Sequence, residues 1–141
     1  MRRDQFSVAV KTDDGPLPTL DVAYDGPTAA LDARLAVDGE SLDSDDIDAA
    51  FRLVDPLESD AEGVFSLAHR LTGTYLFELN AMADDIIDLV GTARERAAGN
   101  FRVRVGHREG VTVYDMDALF VYDEDGELLR QHSLIPSGVE L

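Results

Sequence analysis

The three histidines, His69, His107 and His132, are the residues best suited to acid–base chemistry or metal binding. His69 continues the alternation of Phe65 and Leu67, and the other two fall at or near the ends of predicted strands. No two of them have the local spacing of metal ligands, and no His-Glu-x-x-His motif occurs. We therefore predict packed or strand-end histidines, and we assign no catalytic residue, no metal and no cofactor.

Three arginines, Arg102, Arg104 and Arg108, lie close together in a chain that has only 12 basic residues. Arg102 and Arg104 alternate along one predicted strand and therefore share a face. Planar guanidinium groups could hold a phosphate or a carboxylate of a ligand or partner. The alternative is ion pairing with acidic side chains across a sheet, which we favour. The three arginines are nevertheless the best local prediction of an anion or partner contact.

Two acidic clusters have the composition of cation sites but not their pattern. In a calcium-loop alignment of Asp123–Gly126, the ligand positions one and twelve fall on Val121 and His132, which are unsuitable. We predict a hairpin turn there. The second cluster precedes a strand without a glycine turn, and we predict a solvated strand entry made of Asp43, Asp45, Asp46 and Asp48.

Motifs of nucleophilic and nucleotide chemistry are missing from the sequence. It contains no Gly-x-Ser-x-Gly elbow, no P-loop and no Gly-x-Gly-x-x-Gly. The chain has no cysteine, which excludes disulfides and thiolate metal sites. Covalent catalysis therefore has no support in the sequence.

Apolar residues alternate with period two along most of the chain, which predicts strands that place one face on a core. Short turns at Arg70–Gly73 and Asp123–Gly126 predict antiparallel hairpins. We predict strands over residues 5–11, 19–24, 47–53, 65–67, 75–79, 101–105, 111–115, 118–122 and 127–134.

Two stretches break this alternation and predict helices. Residues 27–37 begin with a proline, space Leu31 and Leu35 by four and end before Asp38-Gly39. Residues 82–98 carry an apolar stripe at helical spacing, with aspartates near the start and arginines near the end. We predict an α+β fold with one domain over residues 1–141. It has about nine largely antiparallel strands, in one sheet or two packed sheets, and the longer helix covers one face.

The charge of the chain is strongly negative. It has 141 residues, of which 29 are acidic and 12 basic, so the net charge is −17. Twenty of the acidic residues are Asp, and Lys11 is the only lysine. In molar salt the Debye length falls to about 3 Å, so such a surface is tolerated and keeps the chain soluble. The composition therefore predicts a high-salt environment. No apolar run reaches the length of a signal-peptide core or a membrane span, so we predict that this environment is the cytoplasm. Neither membrane nor nucleic acid is an expected partner.

The C-terminal tail, residues 132–141, is more apolar than a free terminus should be. It either docks on the core of its own chain or binds a groove or sheet edge of a protein partner. The sequence leaves both alternatives open. The predicted partner contacts in this tail are Leu134, Ile135, Val139 and Leu141.

Four stretches of the sequence carry a resemblance to a known family. They are Met1–Phe6, Val22–Pro27, Leu71–Tyr75 and the tail Leu128–Leu141. Together they resemble an uncharacterised family, a domain of unknown function, of small acidic proteins from halophilic archaea. The resemblance spans essentially the whole chain and implies a cytoplasmic, salt-adapted protein. It implies no activity and transfers no site residues.

The leading functional hypothesis is a non-enzymatic cytoplasmic interaction or ligand-binding module adapted to high salt. It rests on a well-patterned core without a reactive group of residues. One alternative is a small metal-dependent or acid–base enzyme that uses His69, His107 and His132. Another is a structural subunit of a larger assembly. The sequence determines neither the partner nor the oligomeric state.

Overall fold

The computed structural model describes residues 3–12, 15–58 and 60–136. Alternating apolar residues form the strands β1 Phe6–Lys11, β2 Thr19–Tyr24, β3 Ala36–Val37, β4 Glu40–Ser41, β5 Ile47–Leu53, β6 Glu62–His69, β7 Tyr75–Met82, β8 Phe101–His107, β9 Gly110–Met116 and β10 Phe120–Tyr122. The helices are α1 Thr28–Arg34 and α2 Ala83–Arg96. Short 3₁₀ turns occupy Arg3–Gln5, Ser44–Asp46 and Arg130–His132.

The eight longer strands form two four-stranded sheets. The first sheet has the order β1-β2-β8-β9, and the second has the order β10-β5-β6-β7. Strands β3 and β4 form a separate hairpin. Neighbours are antiparallel except in two pairs, β2 with β8 and β5 with β10, which are parallel. The predicted α+β fold with largely antiparallel sheets is confirmed.

Both sheets and both helices contribute to one hydrophobic core. The alternation decides which residues enter it: β5 buries Ile47, Ala49, Phe51 and Leu53 while the residues between them are more exposed. Burial of one large apolar side chain stabilises the fold by about 1.5–3 kcal/mol. The periodicity therefore sets the faces of the strands and the position of the core together.

The longer helix, α2, has the predicted place and slightly narrower bounds. Residues 82 and 97–98, which the pattern predicts as helical, lie outside it. The chain leaves the helix because Ala98 and Gly99 adopt positive φ angles of 52° and 85°. Neither described helix has the length and the apolar character needed to cross a membrane.

Two arginines in the last turn of α2 hold distant segments of the chain. The Arg94 guanidinium donates to the carbonyl oxygens of Gln131 at 2.6 Å and of Arg130 at 3.1 Å, and also to that of Ser133. Arg96 donates to the carbonyl oxygen of Thr12 at 2.6 Å. These side chains therefore do more than complement the helix dipole, because they bind the segment 130–133 and Thr12, the residue directly after β1.

The prediction of a helix over residues 27–37 is wrong at its C-terminal end. The helix α1 stops at Arg34, and β3 and β4 form a hairpin directly afterwards. Its turn residues, Asp38 and Gly39, both have positive φ angles, of 53° and 81°. Asp-Gly is a strong signal for such a two-residue turn, and here it marks a hairpin rather than the end of a helix.

The prediction of a strand over residues 127–134 is also wrong. Only isolated bridges form there, at Leu128 and Leu134, and they flank a 3₁₀ turn. The Val121 N–H donates to the Ser133 hydroxyl oxygen at 2.9 Å. In a regular strand ladder this N–H would donate to a backbone carbonyl of the neighbouring strand instead. Side-chain hydrogen bonds of this kind compete with a strand ladder. The extra β3–β4 hairpin and the missing last strand explain why ten strands are present rather than nine.

The edge strands β1 and β7 of the two sheets pack against each other without a hydrogen-bond ladder. We call this line of contact the seam. The Phe6 ring stacks on the Phe77 ring with a centroid distance of 5.0 Å, and it lies 4.9 Å from the Tyr24 ring. Aromatic packing therefore joins the sheets where backbone hydrogen bonds do not.

Candidate functional site

The outer face of the first sheet carries a row of cations that are already paired. Arg102 Nε lies 2.7 Å from Asp115 Oδ1, and Arg104 Nη1 lies 3.1 Å from Asp21 Oδ1. Lys11 Nζ is 2.9 Å from the other oxygen of Asp21. The register places each arginine opposite its aspartate on a neighbouring strand. The cross-strand ion pairing that the sequence favours for Arg102 and Arg104 is present.

The charges in this row support one another. Partial burial acts to raise the pKa of Asp21, but hydrogen bonds and charge from Lys11 and Arg104 outweigh it and hold that pKa below its usual value. Arg108 is farther from its partner, with 3.7 Å between Nη2 and Asp25 Oδ1, and both side chains are exposed. Such a pair contributes little. An anion contact at these arginines stays a prediction, and a ligand there would have to displace carboxylates.

The first residues of the C-terminal tail dock on the core of their own chain. Leu134 is buried, with 3% of its surface exposed. Its N–H donates to the Leu119 carbonyl at 2.8 Å, and the Leu119 N–H donates back at 3.0 Å. Ile135 is half-buried. The other two predicted partner contacts, Val139 and Leu141, lie outside the described residues.

The three histidines occupy separate elements. His69 ends β6, and its Nδ1 lies 3.1 Å from the Thr72 hydroxyl oxygen. His107 ends β8, and its Nδ1 accepts the Glu109 N–H at 3.4 Å. His132 lies in the third 3₁₀ turn. Within residues 3–12, 15–58 and 60–136, no group of three His, Asp or Glu side chains is arranged to hold a metal ion.

Both acidic clusters serve local structure. Asp123 Oδ1 accepts the N–H groups of Asp125 and Glu127 at 2.9 Å each, and the Asp123 carbonyl accepts the Gly126 N–H at 3.0 Å. The predicted turn is therefore present, but it joins β10 to an isolated bridge at Leu128 and not to the predicted second strand. The other cluster forms the 3₁₀ turn Ser44–Asp46 and the first residues of β5, where the aspartates bond to the backbone or to Arg70.

The outer face of the second sheet combines apolar and aromatic side chains with three charged ones, Arg52, Glu78 and Glu124. It forms an open cleft of about 470 Å³, and no described helix contributes to its lining. Small side chains at its centre, Ala50 and Ser66, leave room between two tyrosines. Tyr75 and Val54 are 55% and 62% exposed. We call this surface the tyrosine face, defined by Ala50, Arg52, Val54, Val64, Ser66, Tyr75, Glu78, Tyr122 and Glu124, and the core residue Leu53 borders its cleft.

A signal for the tyrosine face is present in the sequence of β6, although period-two alternation alone does not reveal it. The run Gly63–Ala68 is apolar or small on both faces of the strand, whereas a strand with a solvated face should alternate. In the structure its outward residues, Val64, Ser66 and Ala68, are at most half exposed. Strand β6 therefore carries apolar or small side chains on both of its faces.

A second cleft lies where β1 and β7 begin, at one end of the seam. It has a volume of about 310 Å³, and we call it the arginine cleft, defined by Arg3, Phe6, Arg34, Tyr75, Leu76, Phe77 and Glu78. Arg34 donates to the Tyr75 carbonyl oxygen at 3.4 Å. In the part of the chain that the structure describes, neither Arg3 nor Arg34 forms an ion pair with a carboxylate.

No sequence signal could have joined the residues of the arginine cleft. Arg3 belongs to a 3₁₀ turn before β1, and Arg34 ends α1. Their common position depends on β7, which comes from a third region of the chain. Local spacing carries no information about such a contact.

Comparison with known proteins supplies a family and no activity. A family model described as a family of unknown function, DUF5793, matches residues 1–141. No curated protein and no solved structure matches the chain. The match covers every residue that forms the two sheets, the tyrosine face and the arginine cleft. The chain therefore belongs to DUF5793, a family of unknown function.

Proposed function

We propose that this chain is a non-enzymatic binding module of a salt-rich cytoplasm, and that it holds a protein partner on its tyrosine face. The observation that carries the proposal is the apolar, aromatic outer face of the second sheet on a chain with a net charge of −17. Exposed apolar patches with aromatic side chains are typical of protein interfaces.

The setting follows from composition and burial. Twenty aspartates and a single lysine support the cytoplasm of a halophilic archaeon as the setting. Among the described residues no acidic side chain is buried, so the acids lie at the surface. At molar salt the Debye length is about 3 Å, and long-range charge attraction contributes little to association. Recognition must then depend on contacts at short range, and the tyrosine face offers them.

The geometry suits a partner that inserts side chains between the two tyrosines. Tyr122 lies opposite Arg52 in the register, and Arg52 lies opposite Val64. Tyrosine and arginine are enriched among the residues that dominate binding energy at interfaces. The tyrosine face therefore combines a small-residue floor with the side-chain types that anchor partners.

The test compares partner capture by two double variants in molar KCl. The face variant carries Val54→Ser and Tyr122→Ser, and the matched control carries Val111→Ser and Val113→Ser on the outer face of the first sheet. The control valines are 47% and 46% exposed, between the half-buried Tyr122 and Val54 at 62%. We expect one partner to be captured by the wild type and by the control, and its affinity for the face variant to fall about tenfold or more.

Circular dichroism and size-exclusion chromatography in the same salt establish that both variants are folded. Equal capture of that partner by a folded face variant would contradict the proposal. A wild-type chain that captures no partner from its own cytoplasm in molar KCl would contradict it as well.

A further inference from the structure

We propose that the arginine cleft binds a small organic anion, a phosphate or carboxylate attached to a flat apolar group. This inference goes beyond the protein-binding function proposed above and does not depend on it. The arginine cleft and the tyrosine face share Tyr75 and Glu78, so the tests below leave both residues unchanged.

The first argument is the unneutralised charge of the cleft. The chain has 29 acidic and 12 basic residues, so carboxylates outnumber cations by more than two to one. Among the arginines that the structure describes, Arg70, Arg102, Arg104 and Arg108 each lie within 4.0 Å of an aspartate oxygen, whereas Arg94 and Arg96 bind backbone carbonyls and Arg52 and Arg130 are in no ion pair. Arg3 and Arg34 line one cleft, and the described residues place no carboxylate in an ion pair with either. Glu78 lines the same cleft and pairs with neither arginine.

The second argument is the chemistry of the lining. A guanidinium group is a planar fork that matches the oxygens of a phosphate or a carboxylate. Beside the two forks lie the half-buried ring of Phe6 and the half-exposed ring of Tyr75, and Phe77, 4% exposed, stacks on Phe6 with a centroid distance of 5.0 Å. A ligand with an anionic head and a flat apolar body would engage both parts of this lining.

The third argument is size. The cleft volume of about 310 Å³ lies at the lower end of the range of small-molecule sites, which is about 300–1,000 Å³. The cleft also lies at the seam, where the edge of β7 has no ladder partner. A site of this size fits a ligand with one ring and one anionic group.

The arginine cleft can bind an anion at high salt because its arginines would contact the anion directly. A Debye length of about 3 Å removes attraction at a distance but leaves hydrogen bonds between a guanidinium and an anion in direct contact. Chloride competes for the charge, but it is a single atom, so two N–H groups of one fork must converge on it, whereas an oxyanion offers each N–H its own oxygen. The site should therefore discriminate between oxyanions and chloride.

The test is a titration of the full chain in molar KCl with phenyl phosphate, benzoate or inorganic phosphate, monitored by backbone amide NMR shifts. We expect saturable shifts at Phe6, Arg34 and Leu76–Glu78 with one or both aromatic anions. If phenyl phosphate binds more tightly than benzoate, the natural head group is a phosphate, and if benzoate binds more tightly, it is a carboxylate. Inorganic phosphate should bind more weakly, by about fivefold or more, because it buries no ring.

Variants of the arginines decide whether these shifts report the proposed site. Arg3→Gln and Arg34→Gln should each weaken the aromatic anion about tenfold or more, because each removes charge-assisted hydrogen bonds. The control Arg130→Gln removes an exposed arginine of the third 3₁₀ turn and should bind as the wild type does. Arg34→Lys keeps the charge and loses the fork, so it tests the geometry in a variant that should fold.

Two results would overturn the proposal. One is an absence of saturable shifts at these amides with every probe up to its solubility limit. The other is binding that persists unchanged in folded Arg3→Gln and Arg34→Gln variants. The Val54→Ser and Tyr122→Ser variant should still bind the aromatic anion, so failure of the arginine cleft and failure of the tyrosine face are distinguishable.

Discussion

At the scale of single residues, two tyrosine hydroxyls enter the core without a hydrogen-bond partner. Tyr24 and Tyr114 are 4% and 2% exposed, and the part of the chain that the structure describes offers neither hydroxyl an acceptor or donor. A buried polar group without a partner costs about 1–3 kcal/mol. Their rings nevertheless fill core volume, and Tyr24 also packs against Phe6 at the seam. The rings stabilise the fold and the hydroxyls oppose it.

Replacing Tyr114 with Phe should leave stability at neutral pH unchanged or raise it. Burial, and to a lesser extent the charge of Asp43, raise the pKa of Tyr114 to about 12. An unfolded tyrosine has a pKa of about 10, so the protonated phenol supports folding below pH 10 and this support is lost as pH rises toward 12. We expect Tyr114→Phe to lose less stability than the wild type over this alkaline range. Urea denaturation at neutral and alkaline pH measures the difference.

The exposed position Tyr75 provides the matched control for the loss of one phenol. Tyr75→Phe should not share the improved alkaline stability of Tyr114→Phe. A drop in the free energy of unfolding of more than about 1 kcal/mol in Tyr114→Phe at neutral pH would mean that the hydroxyl has a partner, and would refute the prediction.

At the scale of elements, the last turn of α2 acts as a clamp on two segments. Arg94→Ala should loosen the segment after β10, because Arg94 holds three of its carbonyl groups. We expect faster hydrogen exchange at the N–H groups of Leu119 and Leu134, which bond to each other's carbonyls. Arg96→Ala is the matched control, because it removes an equivalent arginine that binds Thr12 instead. Equal exchange at Leu119 and Leu134 in Arg94→Ala and in the control would rule out the clamp.

The sequence predicts elements well where local pattern determines them. The alternation in β1, β2 and β5 and the helical stripe of α2 are local, and the structure has these elements within two residues of the predicted bounds. The segment 127–134 depends on Arg94 and Ser133, whose hydrogen bonds to the backbone of other segments have no local signature. The candidate sites divide in the same way. The apolar character of both faces of β6 is visible in the sequence, whereas the meeting of Arg3 with Arg34 is not.

At the scale of the whole molecule, an acidic exterior surrounds an ordinary apolar core. The net charge of −17 destabilises the compact state through repulsion, and salt screens that repulsion. Screening acts mainly on the surface, because the buried residues among those the structure describes are apolar apart from Ser66 and Ser133. Salt should therefore change the stability of this protein without changing its fold.

The melting temperature should rise as KCl increases from dilute buffer to molar concentration. We expect a rise on the order of 10 °C, which corresponds to a few kcal/mol for a domain of this size. Glycerol at equal osmolality is the control, because it is uncharged and screens nothing. Differential scanning calorimetry in both series measures the effect. A chain that is fully folded and equally heat-resistant in dilute buffer would contradict salt adaptation.

The parallel pairing of β2 with β8 has a consequence for how the molecule is made. The second sheet takes β5, β6 and β7 from one continuous stretch of chain, and these strands can pair as soon as they are synthesised. The first sheet joins the N-terminal hairpin to strands from the last third of the chain. The hairpin of β1 and β2 therefore leaves the ribosome before β8 exists to pair with β2, just as β5 must wait for β10 in the second sheet. Throughout that interval the unpaired backbone of β2 is exposed to other nascent chains, and an unpaired strand edge is a template for wrong pairing.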